Sequence, residues 1–194
     1  MIHTIDLDFI GVAGSVAAFL VETPDGELVL IECGPHSTLE KLREGVAAAG
    51  HALTDIQHVL VTHIHLDHAG AAWALAEHGA KIYVHPFGLK HLGNPERLMA
   101  SAGRIYGKDM DRLWGQMHPI AEEQLVPALH EQLFRIGGRS FASFHTPGHA
   151  CHHIAWMLGE EILFTGDVAG VRIGNGPVQP PCPPPDIDLR EWRQ

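Results

Sequence analysis

"VTHIHLDHAG" (residues 61–70) places three histidines and an aspartate within six positions, directly after the apolar run Val59-Leu60-Val61. A short apolar run closed by polar residues reads as a buried strand, here "HVLVT" (58–62). In extended backbone, side chains two apart point the same way, so His63, His65 and Asp67 converge. His68 enters from the first turn of the helix that the small and apolar spacing of "AGAAWALAEHG" (69–79) predicts. Four ligand-type side chains at one strand end suit two adjacent metal ions.

Upstream, "IHTIDLDF", "SVAAFLVE" and "ELVLIEC" read as strands, with "TPDG" as the turn between the last two. "STLEKLREGVAAAG" predicts an amphipathic helix, with Ser37 and Glu40 as a capping box and Gly50 at its end. Downstream, "KIYVH" (81–85) is a strand, and residues 86–130 read as a helical insertion without a strong β run. Strands return with "QLFRI", "SFASFH", "HHIAWML" and "EILFTGD". Six prolines between Pro177 and Pro185 make residues 176–185 an extended, Pro-rich segment unable to join a sheet interior. "DIDLREWRQ" resembles a helix start with Asp188 as N-cap, so residues beyond Gln194, or a partner surface, are expected to hold this end.

A chain of 194 residues is sized for one domain, and its 45 % hydrophobic and 19 % charged residues are those of a globular protein. A formal net charge of -10 gives a phosphate backbone little reason to bind, so nucleic acid is not an expected partner. No apolar run reaches 18 residues, and Asp6 and Asp8 lie where a signal peptide would be basic and then apolar. A cytoplasmic protein without a membrane partner is therefore expected. Cys33, Cys151 and Cys182 form no C-x-x-C and are expected as buried thiols. Sixteen histidines ask for metal binding or proton transfer as an explanation.

Two further signals follow the first. "HTPGHACHH" (145–153) presents His149 on a tight turn, and "FTGDVAG" (164–170) ends an apolar strand in Asp167. His152 and His153 begin a strand in this reading, where alternation lets at most one approach the site. His85 and His145 read as structural, and Tyr83, Tyr106 and Trp114 as core or pocket wall.

With "THIHLDHAG", "HTPGHA", "LFTGD" and "VLIECGP" in this order, the sequence resembles the metallo-β-lactamase superfamily, and more closely its hydroxyacylglutathione-hydrolase-like branch. The resemblance covers nearly the whole chain. It implies an α/β fold, the αββα sandwich of that family, over residues 1–194. It also implies His63, His65 and His149 as ligands of a first ion, Asp67 and His68 as ligands of a second, and Asp167 as the carboxylate bridging both. Glu32 stands where the family usually has Asp, in a supporting position outside the coordinating set. The family's further histidine on a later strand has no counterpart, since no His follows His153. The C-terminal part is therefore expected to be incomplete, with roughly a third of the usual chain outside it.

The implied activity is metal-dependent hydrolysis of a small ester-like substrate, thioester first, then lactone, then β-lactam. Metal-bound water, its pKa brought from about 15.7 towards about 7, supplies the hydroxide, oriented by Asp67 and Asp167. Imidazole and carboxylate donors suit two zinc ions first, with iron or manganese as alternatives. The insertion 86–130 would form a pocket wall. Two other readings stay open: a mononuclear iron persulfide dioxygenase using His63, His149 and Asp167 with His65 outside the coordinating set, and a truncated, non-catalytic binding domain. Electron-transfer diiron relatives resemble H-x-E-x-D, whereas this chain has His65. Homo-oligomerisation also stays open.

Overall fold

Alternation of buried and exposed positions in the first strands, followed by apolar runs, builds two stacked sheets with different pairing. A computed structural model describes residues 1–182 and 187–193. The first sheet has six strands in chain order: β1 (Ile2–Asp6), β2 (Ala17–Glu22), β3 (Leu28–Ile31), β4 (Ile56–Leu60), β5 (Lys81–Val84) and β6 (Leu125–Pro127). Pairing is antiparallel from β1 to β3 and parallel from β3 to β6. The second sheet is an antiparallel meander of β7 (Gln132–Ile136), β8 (Arg139–His145), β9 (Ile154–Leu158) and β10 (Ile162–Phe164).

Strand β3, apolar and buried throughout, and the Val59–Leu60 end of β4 sit in the middle of the first sheet because both their faces are covered. On one face lie α1 (Leu39–Ala48), α2 (Leu66–Ala69), α3 (Ala72–Ala76), α4 (Pro86–Gly93) and α5 (Glu96–Tyr106), whose buried residues, Leu42, Val46, Leu75 and Leu92 among them, share one core with Leu30, Val59 and Ile82. On the other face, Ile31, Leu60 and Tyr83 meet Phe141, Ile154 and Trp156 of the second sheet. Trp156 is fully buried there, and its indole N–H donates to the Val61 carbonyl at 3.0 Å. The layers among the described residues are thus helix, sheet, sheet, and no helix contributes to the core between the sheets.

The structure departs from the sequence reading at several points. The helices of the 86–130 block end with α6 (Met110–Leu113), and the block also contains β6, which extends the first sheet through Leu125–Pro127 pairing with Ile82–Val84. The capping box does not form: Ser37 lies in a 3-10 turn before α1, and its hydroxyl donates to the Leu113 carbonyl instead. The helix expected over 69–79 is divided into α2 and α3. Cys33 is buried as expected, but Cys151 and Cys182 are exposed. Asp188 does cap, its Oδ1 accepting from Arg190 N–H at 2.8 Å, and residues 187–193 dock on this chain's own surface. Of the proline run, Pro183, Pro184 and Pro185 lie outside the described residues.

Candidate metal centre

The carboxyl ends of β3 and β4 carry the first half of the site. Backbone after β4 is extended only as far as His65, and Asp67 is presented by the first turn of α2, not by strand alternation. The second half comes from the other sheet: His149 from the turn before β9, and Asp167 from the 3-10 turn after β10. Because β9 and β10 form a hairpin, those two turns share one end of the sheet.

All six residues singled out in the sequence come together. His63 Nε2, His65 Nδ1 and His149 Nε2 lie 2.9, 3.0 and 3.2 Å from one another. A tetrahedral ion with ligands at about 2.0 Å needs donor atoms about 3.3 Å apart, so this spacing fits a metal ion. Asp167 stands between two groups, with Oδ2 3.2 Å from His149 Nε2 and Oδ1 3.3 Å from His68 Nε2. His63, His68 and Asp167 form a second set of donors that could hold an ion, and Asp67 stands beside it with Oδ2 3.6 Å from His68 Nε2. Thiolate takes no part: the Cys33 thiol, raised by burial and then by Glu32, donates to the His68 carbonyl at 3.2 Å.

Each imidazole is oriented by the bond its other nitrogen makes. The His149 Nδ1–H donates to the Pro181 carbonyl at 3.0 Å, leaving Nε2 as a lone pair. His63 Nδ1 meets the Thr62 hydroxyl at 3.0 Å. His68 Nδ1–H donates to Glu32 Oε2 at 3.1 Å, while Glu32 Oε1 accepts from Thr62 N–H at 2.9 Å. Glu32 is buried and sits at φ +63°, a left-handed conformation costly for a residue with a Cβ. His153 Nε2 accepts from the Asp167 backbone N–H at 3.2 Å, and its Nδ1–H donates to the Thr146 hydroxyl at 2.8 Å.

Electrostatics divide the cluster. Burial, then the neighbouring imidazoles, push His63 well below the ordinary histidine range and bring His65 to about 3. His153 falls to about 3 for the same reasons, in keeping with an Nε2 that accepts. Burial also opposes charge on His68, but Asp67, Glu32 and Asp167 outweigh it and raise its pKa well above the ordinary value. Burial would raise Asp167, yet the bond to His68 and the surrounding imidazoles hold it low. His63 and His65 are therefore held neutral, and the second group is acid-rich.

Beside Asp67, His68 and Asp167 opens a cavity of about 660 Å³, walled by apolar residues that include Val16, Phe19, Leu163 and Phe164. Phe9 from the β1–β2 loop stacks on Trp114 at 5.3 Å, and Trp114 meets Tyr106 at 5.0 Å. The Tyr106 phenol is raised by burial and then by the Asp67 charge, but the residues lining the cavity include none from 86–130, so the insertion does not form its wall as expected.

Some contributors escaped the sequence reading. His152 and His153 precede β9 and do not lie in it, so alternation does not separate them: both are buried, His153 bonded to Asp167 and the His152 ring 5.7 Å from that of His65. Pro181 acts through its carbonyl, which no residue type announces. His85 and His145 face each other at 4.1 Å and belong to neither donor group.

The comparisons with known proteins identify the family and the fold. The chain is 31% identical over 178 residues to the metallo-beta-lactamase fold-containing protein ST1585 of Sulfurisphaera tokodaii, covering 88% of this chain and 67% of that protein. The crystal structure of ST1585 superposes with a TM-score of 0.76 at 25% identity, covering 98% of this chain and 72% of the other. A metallo-beta-lactamase family protein from Thermus thermophilus shares the fold at a TM-score of 0.68 and 23% identity, over 87% of this chain and 58% of its own. An atrochrysone carboxyl ACP thioesterase of Aspergillus fumigatus is 30% identical over 152 residues, and the chain spans 38% of its length. The family model described as the metallo-beta-lactamase superfamily matches residues 11–193, and the chain belongs to that superfamily of hydrolases.

Proposed function

We propose that this chain hydrolyses a small ester-like substrate, a thioester first and a lactone second, with a two-ion centre held by His63, His65, Asp67, His68, His149 and Asp167. The observation that carries the proposal is Asp167, whose two oxygens face the two donor groups at 3.2 and 3.3 Å. Metal ions in these groups would lower the pKa of water towards neutrality and polarise a carbonyl. The donor set, imidazole and carboxylate, favours zinc, with iron and manganese behind it.

The chain's own residues do the rest. Pro181, Thr62 and Glu32 fix which nitrogen of His149, His63 and His68 faces inwards. His153 anchors the backbone of Asp167, so that both carboxylate oxygens stay free for the centre. Asp67 and Asp167 orient the attacking water and take its proton. The cavity beside them, walled in part by Val16, Phe19 and Phe164, takes the acyl part of the substrate. Placement in the hydroxyacylglutathione-hydrolase-like branch is part of the proposal, supported by relatives named as thioesterases.

The dioxygenase alternative keeps His65 outside the coordinating set, and the position of His65 Nδ1, 2.9 Å from His63 Nε2, counts against it. The test is elemental analysis of the purified chain, followed by a panel of thioesters and lactones assayed with zinc. Two equivalents of metal and turnover of one panel class are expected, both lost in Asp167→Asn. No turnover across the panel by the loaded protein would end the hydrolase reading. Iron with oxygen consumption would favour the dioxygenase, and no tight metal the binding domain.

A further inference from the structure

The last described segment is tied to both downstream ligand turns at once. The Trp192 indole N–H donates to the carbonyl of Val168, the residue after Asp167, at 2.9 Å. The same residue lies against Gly148, the residue before His149: a Cβ built there would stand 2.5–2.7 Å from Trp192 Cα, Cβ and N. Gly148 also has φ +128°, where a side chain is strained, and its carbonyl accepts from Asp188 N–H at 2.8 Å. Trp192 is held in turn by its own N–H to the Asp188 carbonyl at 3.0 Å. Its ring meets that of His149 edge-on at 5.9 Å.

We propose that Trp192 is a positioning residue for the metal centre, stapling the turn that carries His149 to the turn that carries Asp167. The proposal rests on the reading of those two residues as ligands. The β9–β10 hairpin brings both turns to one end of the sheet, but among the described residues β9 and β10 pair only through Trp156–Leu158 and Ile162–Phe164. Beyond those rungs the separation of the two turns is set by what bridges them, and Trp192 touches both. The bare Gly148 is then the space that the staple occupies, and His149, with Pro181 on its other nitrogen, is fixed from two sides.

The test compares the 194-residue chain with Trp192→Ala, Trp192→Phe, Gly148→Ala and the Gly148→Ala/Trp192→Ala double variant. Affinity for zinc is measured by competition with a chromophoric chelator, and the visible absorption of the cobalt-loaded protein reports ligand geometry. Supporting groups around metal ligands typically contribute about 10- to 100-fold in affinity. Trp192→Ala is expected to weaken zinc binding by about 10-fold or more and to alter the cobalt spectrum, with Trp192→Phe restoring part of both. Gly148→Ala, whose Cβ would collide with the Trp192 backbone and Cβ that Trp192→Ala keeps, should displace the whole segment and lose the bond to Val168 with it, so the double variant should be no worse than Gly148→Ala alone. Far-UV circular dichroism identifies a variant that has not folded, and the remaining variants then decide. Wild-type affinity and spectrum in Trp192→Ala, or additive losses in the double variant, would overturn the staple alone. A wild-type chain that binds no metal would overturn the ligand assignment itself.

Discussion

Glu32→Gln removes one charge and almost no volume from a buried carboxylate that has two partners. Oε1 accepts from Thr62 N–H at 2.9 Å and Oε2 from His68 Nδ1–H at 3.1 Å. A carboxamide offers one acceptor and one donor, so whichever way it turns, one of these two N–H groups faces an NH₂. If that group is Thr62 N–H, a buried donor goes unpaired at about 1–3 kcal/mol. If it is His68, the imidazole loses its orienting partner, which typically weakens metal binding about 10- to 100-fold. Losing the charge also makes His68 easier to deprotonate, which works the other way, but the measured net effect of such partners is a loss. Chelator competition should show one metal equivalent weakened by that factor, that of the His68 side, and the other, held by His63, His65 and His149, nearly unchanged. Where the amide turns its NH₂ to Thr62 instead, urea unfolding of the metal-free protein should show a loss of about 1–3 kcal/mol, so at least one of the two effects is expected. Two equivalents bound with wild-type affinity and an unchanged unfolding midpoint would refute the role given to Glu32.

Gly45→Ala improves helix propensity by about 1 kcal/mol, yet its Cβ would overlap Ile5 Cγ2 and lie 3.1 Å from Cγ1, an overpacking cost of about 1–3 kcal/mol. A lower urea midpoint is expected, and a higher one would show that α1 can shift on β1. Trp156→Phe leaves the Val61 carbonyl without its donor and a gap between the sheets, with an expected loss of about 2–4 kcal/mol by urea unfolding. His85, lowered from 6.5 to about 4 by burial and then by His145 and His152, favours folding while neutral. Its contribution is therefore complete above pH 6.5 and lost as pH falls towards about 4. His85→Gln should flatten the acid limb of a plot of unfolding midpoint against pH over that window, and an unchanged limb would remove His85 as its cause.

The residues proposed as donors were legible because metal chemistry restricts residue types. H-x-H-x-D-H, the turn at His149 and the strand end at Asp167 each carry side chains with few other reasons to cluster, and the structure brings all six together. Strands also declared themselves through apolar runs such as Val59-Leu60-Val61. What orients the donors was mostly hidden. Pro181 contributes a backbone carbonyl, and Trp192 fits a glycine that lies forty-four positions earlier by subtraction of residue numbers. Period-two reasoning misjudged His152 and His153, since it holds only inside a strand and β9 starts at Ile154. Strand β6 was missed because three residues ending in Pro127 carry no recognisable alternation, and only pairing with β5 makes them a strand. Ser37 read as a cap from local sequence, but a carbonyl from the insertion outcompeted the helix for its hydroxyl.

The distance along the chain between the two halves of the centre has a consequence for how the protein comes to be made. His63 and His149 are 86 positions apart, and closing so long a loop is slow compared with forming a hairpin or a strand–helix–strand unit. A chain growing from its N-terminus presents His63, His65, Asp67 and His68 well before His149 and Asp167 exist. If these residues bind metal as proposed, the exposed half-site is during that interval a flexible chelator, open to whichever divalent ion is most abundant or most tightly bound by imidazole. On the proposed ligand assignment, selectivity would be a property of the docked sheets, acquired last, and metal captured by the nascent segment would be exchanged or retained when the second sheet arrives.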